Sequence, residues 1–149
     1  MDIRIKAFKD LTLDELYALL KLREEVFILE QNILYPDLDQ TDQMADHIMI
    51  FENNQLVAYA RTYEKGIKYN EASIGRVVTS PSVRGQGYGI PLMKTAIHHL
   101  VSLGEQTITI SSQAYAKEFY SKVGFKPSAK EPYLEDGIPH LEMKYLTED

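Results

Sequence analysis

Ser73-Ile74-Gly75-Arg76-Val77-Val78-Thr79-Ser80-Pro81-Ser82-Val83-Arg84-Gly85-Gln86-Gly87-Tyr88-Gly89-Ile90 runs from a β-rich segment through a glycine loop into a helical pattern. Ile90, Met93, Ile97 and Leu100 recur at helical spacing and Gly104 closes the pattern. The loop therefore lies between a strand and a helix start, where the first backbone N–H groups have no intrahelical partner. Such a place binds anions. Glycines at 85, 87 and 89 let the main chain turn and approach a phosphate, and Arg84 and the helix dipole add positive potential. Taken alone, the loop is equally an ordinary glycine turn capping a helix, so its context has to decide. A Walker loop requires Gly-Lys-Ser/Thr, which is missing, and the glycine spacing is not that of the dinucleotide fingerprint.

Working outward, residues 2–8 alternate as a strand, and Thr12 with Glu15 forms a capping-box pattern ahead of a helix reaching about residue 31. Leu13, Leu16, Leu20 and Phe27 give that helix its expected core stripe, with Arg23, Glu24 and Glu25 largely off it. Residues 32–46 lose periodicity and carry five aspartates or prolines of note, Pro36, Asp37, Asp39, Asp42 and Asp46, which reads as an acidic loop long enough to be functional. Residues 47–51 and 56–63 form a hairpin pattern, 73–79 and 106–111 are further strands, and Ala116, Phe119, Tyr120 and Val123 share a helical face ended by Gly124. Two more strands are expected near residue 125 and over 141–146. This is a mixed α/β domain spanning 1–149, with a mostly antiparallel sheet, helices on both faces and one parallel pair joined by the helix after the glycine loop.

The chain has 149 residues, no cysteine and a formal charge of −6. Disulfides, thiolate metal sites and a cysteine acyl-intermediate are thereby excluded. No stretch approaches the ~18 apolar residues of a membrane span, and the acidic balance disfavours a nucleic-acid surface. The expectations are a soluble cytoplasmic protein, no metal, no nucleic acid and no membrane.

The loop matches Arg-x-x-Gly-x-Gly and is followed by Gln113-x-x-Ala116-x-x-Phe119-Tyr120-x-x-x-Gly124-Phe125. Together these resemble the GNAT superfamily of N-acetyltransferases. Arg23-x-x-Val26-Phe27-x-x-Glu30-Gln31, Tyr35-Pro36-x-x-Asp39-x-x-Asp42, Gly75-Arg76-Val77 and Glu135-Asp136-Gly137-Ile138-Pro139-His140 look like its ElaA-type branch. The resemblance implies acetyl-CoA as cosubstrate. Its pyrophosphate would lie on Arg84, Gly85, Gln86, Gly87, Tyr88 and Gly89, and its pantetheine arm along Val77, Val78 and Thr79. Gln113 stands where the family often has Asn, and Tyr120 maps beside the coenzyme sulfur. The resemblance also makes a homodimer reasonable.

An alkylammonium with a pKa of about 10.4 must lose a proton before it attacks a thioester. Candidate bases and acceptor contacts are Glu30, Asp39, Asp42, His47, Glu135, Asp136 and His140, with His140 favoured because it begins a strand beside the acidic turn. The aspartates are equally read as loop-capping groups, and His47 as a satisfied strand-end histidine. Tyr120 is the expected acid for the departing thiolate; its alternative is a core tyrosine. The acceptor is a small-molecule or protein amine. A coenzyme-binding module without turnover and a protein-docking domain remain the rival classes.

Overall fold

The computed structural model describes residues 1–147. Strands β1 (Asp2–Ala7), β2 (Asp46–Glu52), β3 (Gln55–Tyr63), β4 (Ala72–Thr79), β5 (Thr107–Gln113), β6 (Lys126–Pro127), β7 (Tyr133–Glu135) and β8 (Ile138–Leu146) form one sheet. Its order is β1-β2-β3-β4-β5-β8-β6, with β7 also on β8. Every pairing is antiparallel except β4 with β5. Helices α1 (Leu13–Arg23), α2 (Gly89–Ser102) and α3 (Lys117–Lys122) cover the sheet. Asn53 and Asn54 turn β2 into β3 with both φ angles positive, 49° and 63°, the geometry a two-residue hairpin needs.

Alternation along the strands separates two apolar clusters. Leu92, Met93, Ala96, Ile97 and Leu100 of α2 pack on Ile48, Ile50, Ala60, Ile74, Ile108 and Ile110. On the opposite face Leu19, Leu22 and Val26 pack on Met49, Phe51, Leu56, Tyr59 and Val78. Each large side chain so buried contributes about 1.5–3 kcal/mol.

The start of α1 is as the sequence predicts: the Thr12 hydroxyl accepts from the Glu15 N–H at 3.0 Å, and the Glu15 carboxylate accepts from the Thr12 N–H at 2.8 Å. Its stripe is rotated from the expected one. Leu13 is 85% exposed, while Arg23 is fully buried beside Leu19 and Leu22. Arg23 can face inward because its guanidinium meets Asp42 at 2.7 Å and Asp37 at 2.9 Å. Beyond it, residues Glu24–Glu30 wind as a π-helix rather than continuing as α-helix, a form that occurs most often at functional sites.

Candidate active site

The parallel pair is short. Only Ala72 with Ile108 and Ser73 with Thr109 are in register; beyond them β4 stays with β3 and β5 with β8. The two strands part there. Residues 74–79 therefore have no β5 partner, and their main-chain edge faces a gap. A bulge assists the parting: Arg76 sits in mid-strand at φ 51°, and the register with β3 shifts between Tyr59 and Arg61.

At one end of the gap lies the glycine loop. Gly85 and Gly87 have φ of 82° and 85°, which a side chain resists, and nothing lies within 4 Å of where a Cβ would stand. Those two glycines leave open space over the loop, a cradle of bare main chain at the start of α2. Gly89 has a different task from the one expected of it. Its φ is not in the left-handed region, and a Cβ there would stand 2.9 Å from the Phe119 ring, so it lets α2 and α3 pack closely. Arg84 reaches Glu30 through two contacts of 2.5 and 2.6 Å, and this pairing holds the Glu30 carboxyl below its ordinary range. Glu30 thus stands at the glycine loop, apart from the cavity lined by Asp39, Glu135 and Asp136.

Tyr120 lies on α3, edge-on to Phe119 and Phe125 at centroid distances of 5.1 and 6.1 Å. Burial raises its phenol above the ordinary range, so the hydroxyl is protonated at neutral pH. Gln113 ends β5, in register with His140. Val77 and Val78 alternate onto the two apolar clusters, and Thr79 pairs with Ala58.

On the other side of the gap a cavity of about 300 Å³ is lined by Tyr35, Asp39, Arg61, Tyr63, Lys68, Tyr69, residues 73–76, Ser111, Glu135 and Asp136. Asp39, Glu135 and Asp136 come together there. Asp39 is nonetheless engaged: Arg61 holds it at 2.6 and 3.1 Å, the Thr41 hydroxyl donates to it at 2.7 Å, and Lys68 lies at 3.2 Å. Burial pushes its carboxyl up, but Arg61 and Thr41 outweigh that and hold it well below the carboxylate range. Asp42 does not line the cavity. It is buried between Arg23 and Arg61, 2.7 Å from each, so the loop-capping reading fits its geometry. His47 is also structural in its contacts, fully buried between the Tyr59 hydroxyl at 2.6 Å and the Asp42 carbonyl at 2.9 Å, with burial lowering its pKa.

His140 is buried on β8. Its Nδ1 donates to the Ile138 carbonyl at 2.8 Å, and its Nε2 faces Glu135 at 3.2 Å. The Tyr133 ring stacks on it, while the Tyr133 and Ser111 hydroxyls are hydrogen-bonded. Strand β7 was not among the expected elements. Asp136-Gly137, at φ 52° and 76°, is the two-residue hairpin signal that marks it. Arg61, Arg76 and Lys68 also went unassigned as site residues; their signal is a charged side chain within or beside an otherwise β-rich run.

The sheet is thus parted at its one parallel pair, with an open glycine cradle at a helix start on one side and a polar cavity on the other. The chain belongs to the GNAT acetyltransferase family, since the family model described as an acetyltransferase (GNAT) domain matches residues 16–147. Its likeness lies with the ElaA-type branch: it is 40% identical to protein ElaA of Escherichia coli over 140 residues, 90% of this chain and 89% of ElaA. A UPF0039 protein of Schizosaccharomyces pombe is 42% identical over 93% of each chain. The crystal structure of an acyl-CoA N-acyltransferase from Pseudomonas aeruginosa superposes with a TM-score of 0.90 at 40% identity, covering 97% of this chain and 98% of that one. The crystal structure of E. coli ElaA gives 0.88 at 36% identity, covering 97% and 99%. No helix among the described residues is long and apolar enough to cross a membrane.

Proposed function

We propose that this protein transfers the acetyl group of acetyl-CoA to a primary amine by direct attack within a ternary complex. The observation that carries the reading is the gap between β4 and β5, with an open glycine cradle at one side and a polar cavity at the other. In this reading residues 84–89 hold the pyrophosphate, Val77, Val78 and Thr79 pair with the pantetheine arm, and Gln113 contacts the coenzyme. Coenzyme A supplies the activated thioester.

The remaining chemistry falls to the chain. A main-chain N–H near Val78 polarises the acetyl carbonyl. As the amine nitrogen bonds to the acetyl carbon, the C–S bond breaks and Tyr120 gives its phenolic proton to the sulfur. Before attack the ammonium gives one proton through water to His140, whose Nδ1 is fixed on the Ile138 carbonyl and whose Nε2 faces Glu135, and the second N–H proton, lost as the amide forms, restores the Tyr120 phenol. The donor set lacks any cysteine acyl-carrier, which favours direct transfer over an acyl-enzyme.

The test is thiol release from acetyl-CoA with a panel of amines. Amine-dependent release supports the reading. A coenzyme that raises the melting temperature while no amine releases thiol would make the protein a binding module.

A further inference from the structure

Arg76 is held in an unusual way. Its guanidinium lies 5.2 Å from the centroid of the Phe27 ring and 5.3 Å from that of Tyr35, so aromatic faces fix its plane. Its one ion contact among the described residues is Nε to Asp37 at 2.9 Å, without hydrogen-bond alignment. The side chain is 22% exposed and lines the cavity. Its backbone is at φ 51°, a strained conformation for arginine that persists only where the surroundings impose it. A planar, pre-placed guanidinium with an uncommitted edge is the fork that a carboxylate takes in two-point fashion.

The charges around it point the same way. Asp37, Asp39 and Asp42 carry three negative charges, and Arg23, Arg61, Arg76 and Lys68 set four positive ones against them. Of these groups Asp39, Arg61, Arg76 and Lys68 line the cavity, so the wall beside the aspartate-rich loop presents a cationic excess. The opposite wall, the β7–β8 turn, carries Glu135 and Asp136. A polycation would meet repulsion on one wall, whereas a molecule with an ammonium and a carboxylate matches both.

We infer that the acceptor is a small amino acid or amino-acid-like zwitterion, whose carboxylate docks on Arg76 with Lys68 beside it and whose amine lies toward Glu135, Asp136 and the strand gap. The inference rests on the acetyltransferase reading and narrows its substrate class.

The experiment compares acceptors that differ only by a carboxylate, lysine against cadaverine and 4-aminobutyrate against propylamine. It uses thiol release for turnover and calorimetry on the coenzyme A-loaded protein for binding. The carboxylated partner should show about tenfold or more higher kcat/KM, carried by KM, as expected for a charge-assisted two-point contact. Arg76→Gln should erase that advantage, bringing the ratio of kcat/KM between the carboxylated partner and its carboxylate-free analogue to about one. Lys68→Gln, on the exposed rim, should reduce it in the same direction and serves if Arg76→Gln does not fold. A preference for the carboxylate-free amines, or an advantage that survives in both variants, overturns the inference. If no amine of either kind turns over, the acetyltransfer reading fails, and calorimetry still decides: equal affinity within each pair overturns the inference, and tighter binding of the carboxylated partner supports it.

Discussion

Glu30 and Arg84, 54 positions apart, close on each other through two contacts of 2.5 and 2.6 Å, joining the end of the π-helical turn to the first residue of the glycine loop. The arginine expected to meet a pyrophosphate is thus neutralised by a carboxylate when the cradle is open. In the proposed function, coenzyme binding has to compete with Glu30 for Arg84. Glu30→Gln should tighten coenzyme A binding, by no more than about fivefold because exposed ion pairs are weak. The folded carboxyl is held low, so the pair is intact at neutral pH and is lost as pH falls through that depressed value. Calorimetry at neutral pH and at a pH below the ordinary carboxylate range of about 4 checks both points: the difference should persist through mildly acidic pH, and the wild type should approach the variant only once the depressed Glu30 carboxyl is protonated. Weaker binding by Glu30→Gln would make Glu30 a support for Arg84 rather than a competitor.

Gly87 at φ 85° is a second test of the cradle. Gly87→Val forces a β-branched residue into the left-handed region and places its methyl groups where a phosphate would approach. Coenzyme affinity should fall at least about tenfold, the scale of losing a charge-assisted contact set, with the circular dichroism spectrum unchanged. Undiminished affinity in the folded variant would remove the loop from the site.

Asp42 separates a structural from a substrate role. Asp42→Asn leaves Arg23 and Arg61 buried with one formal countercharge fewer, and breaking a buried pair costs about 3–5 kcal/mol. The loss should appear in denaturant unfolding, with the Michaelis constant for the amine nearly unchanged in the folded fraction. A raised constant with full stability would return Asp42 to the acceptor site.

The strand-loop-helix run, the capping box, both hairpin asparagines and the parallel crossover were legible because each is a local pattern. The rotation of α1 was not. Its inward arginine depends on Asp37 and Asp42, 14 and 19 positions later in the chain, and periodicity carries no trace of that pairing. The same distant pairing hides why the aspartate-rich loop is not an acidic surface. The packing role of Gly89 was hidden for a related reason: sequence spacing groups it with Gly85 and Gly87, while only the neighbouring Phe119 ring shows that it also lets two helices approach. At the candidate site, Tyr120 and His140 came from motif and position, but Arg76 became conspicuous only through its bulge and its two flanking rings.

Tyr120→Phe keeps the ring against Phe119 and Phe125 and removes only the hydroxyl. If that hydroxyl protonates the leaving thiolate, turnover should drop by ~10²-fold or more. Coenzyme affinity and melting temperature should change little, whereas a lost structural hydrogen bond would cost about 1 kcal/mol of stability. Stopped-flow turnover and thermal unfolding on one preparation distinguish these outcomes.

The central claim, acetyl transfer to an amine across the β4–β5 gap, is tested most directly by quantifying the N-acetylated acceptor by mass spectrometry alongside thiol released from acetyl-CoA. The account predicts one acetylated amine per thiol, formed by the wild type and suppressed in Gly87→Val and Tyr120→Phe. Thiol release without an acetylated amine, or product formation undiminished in both variants, would contradict it.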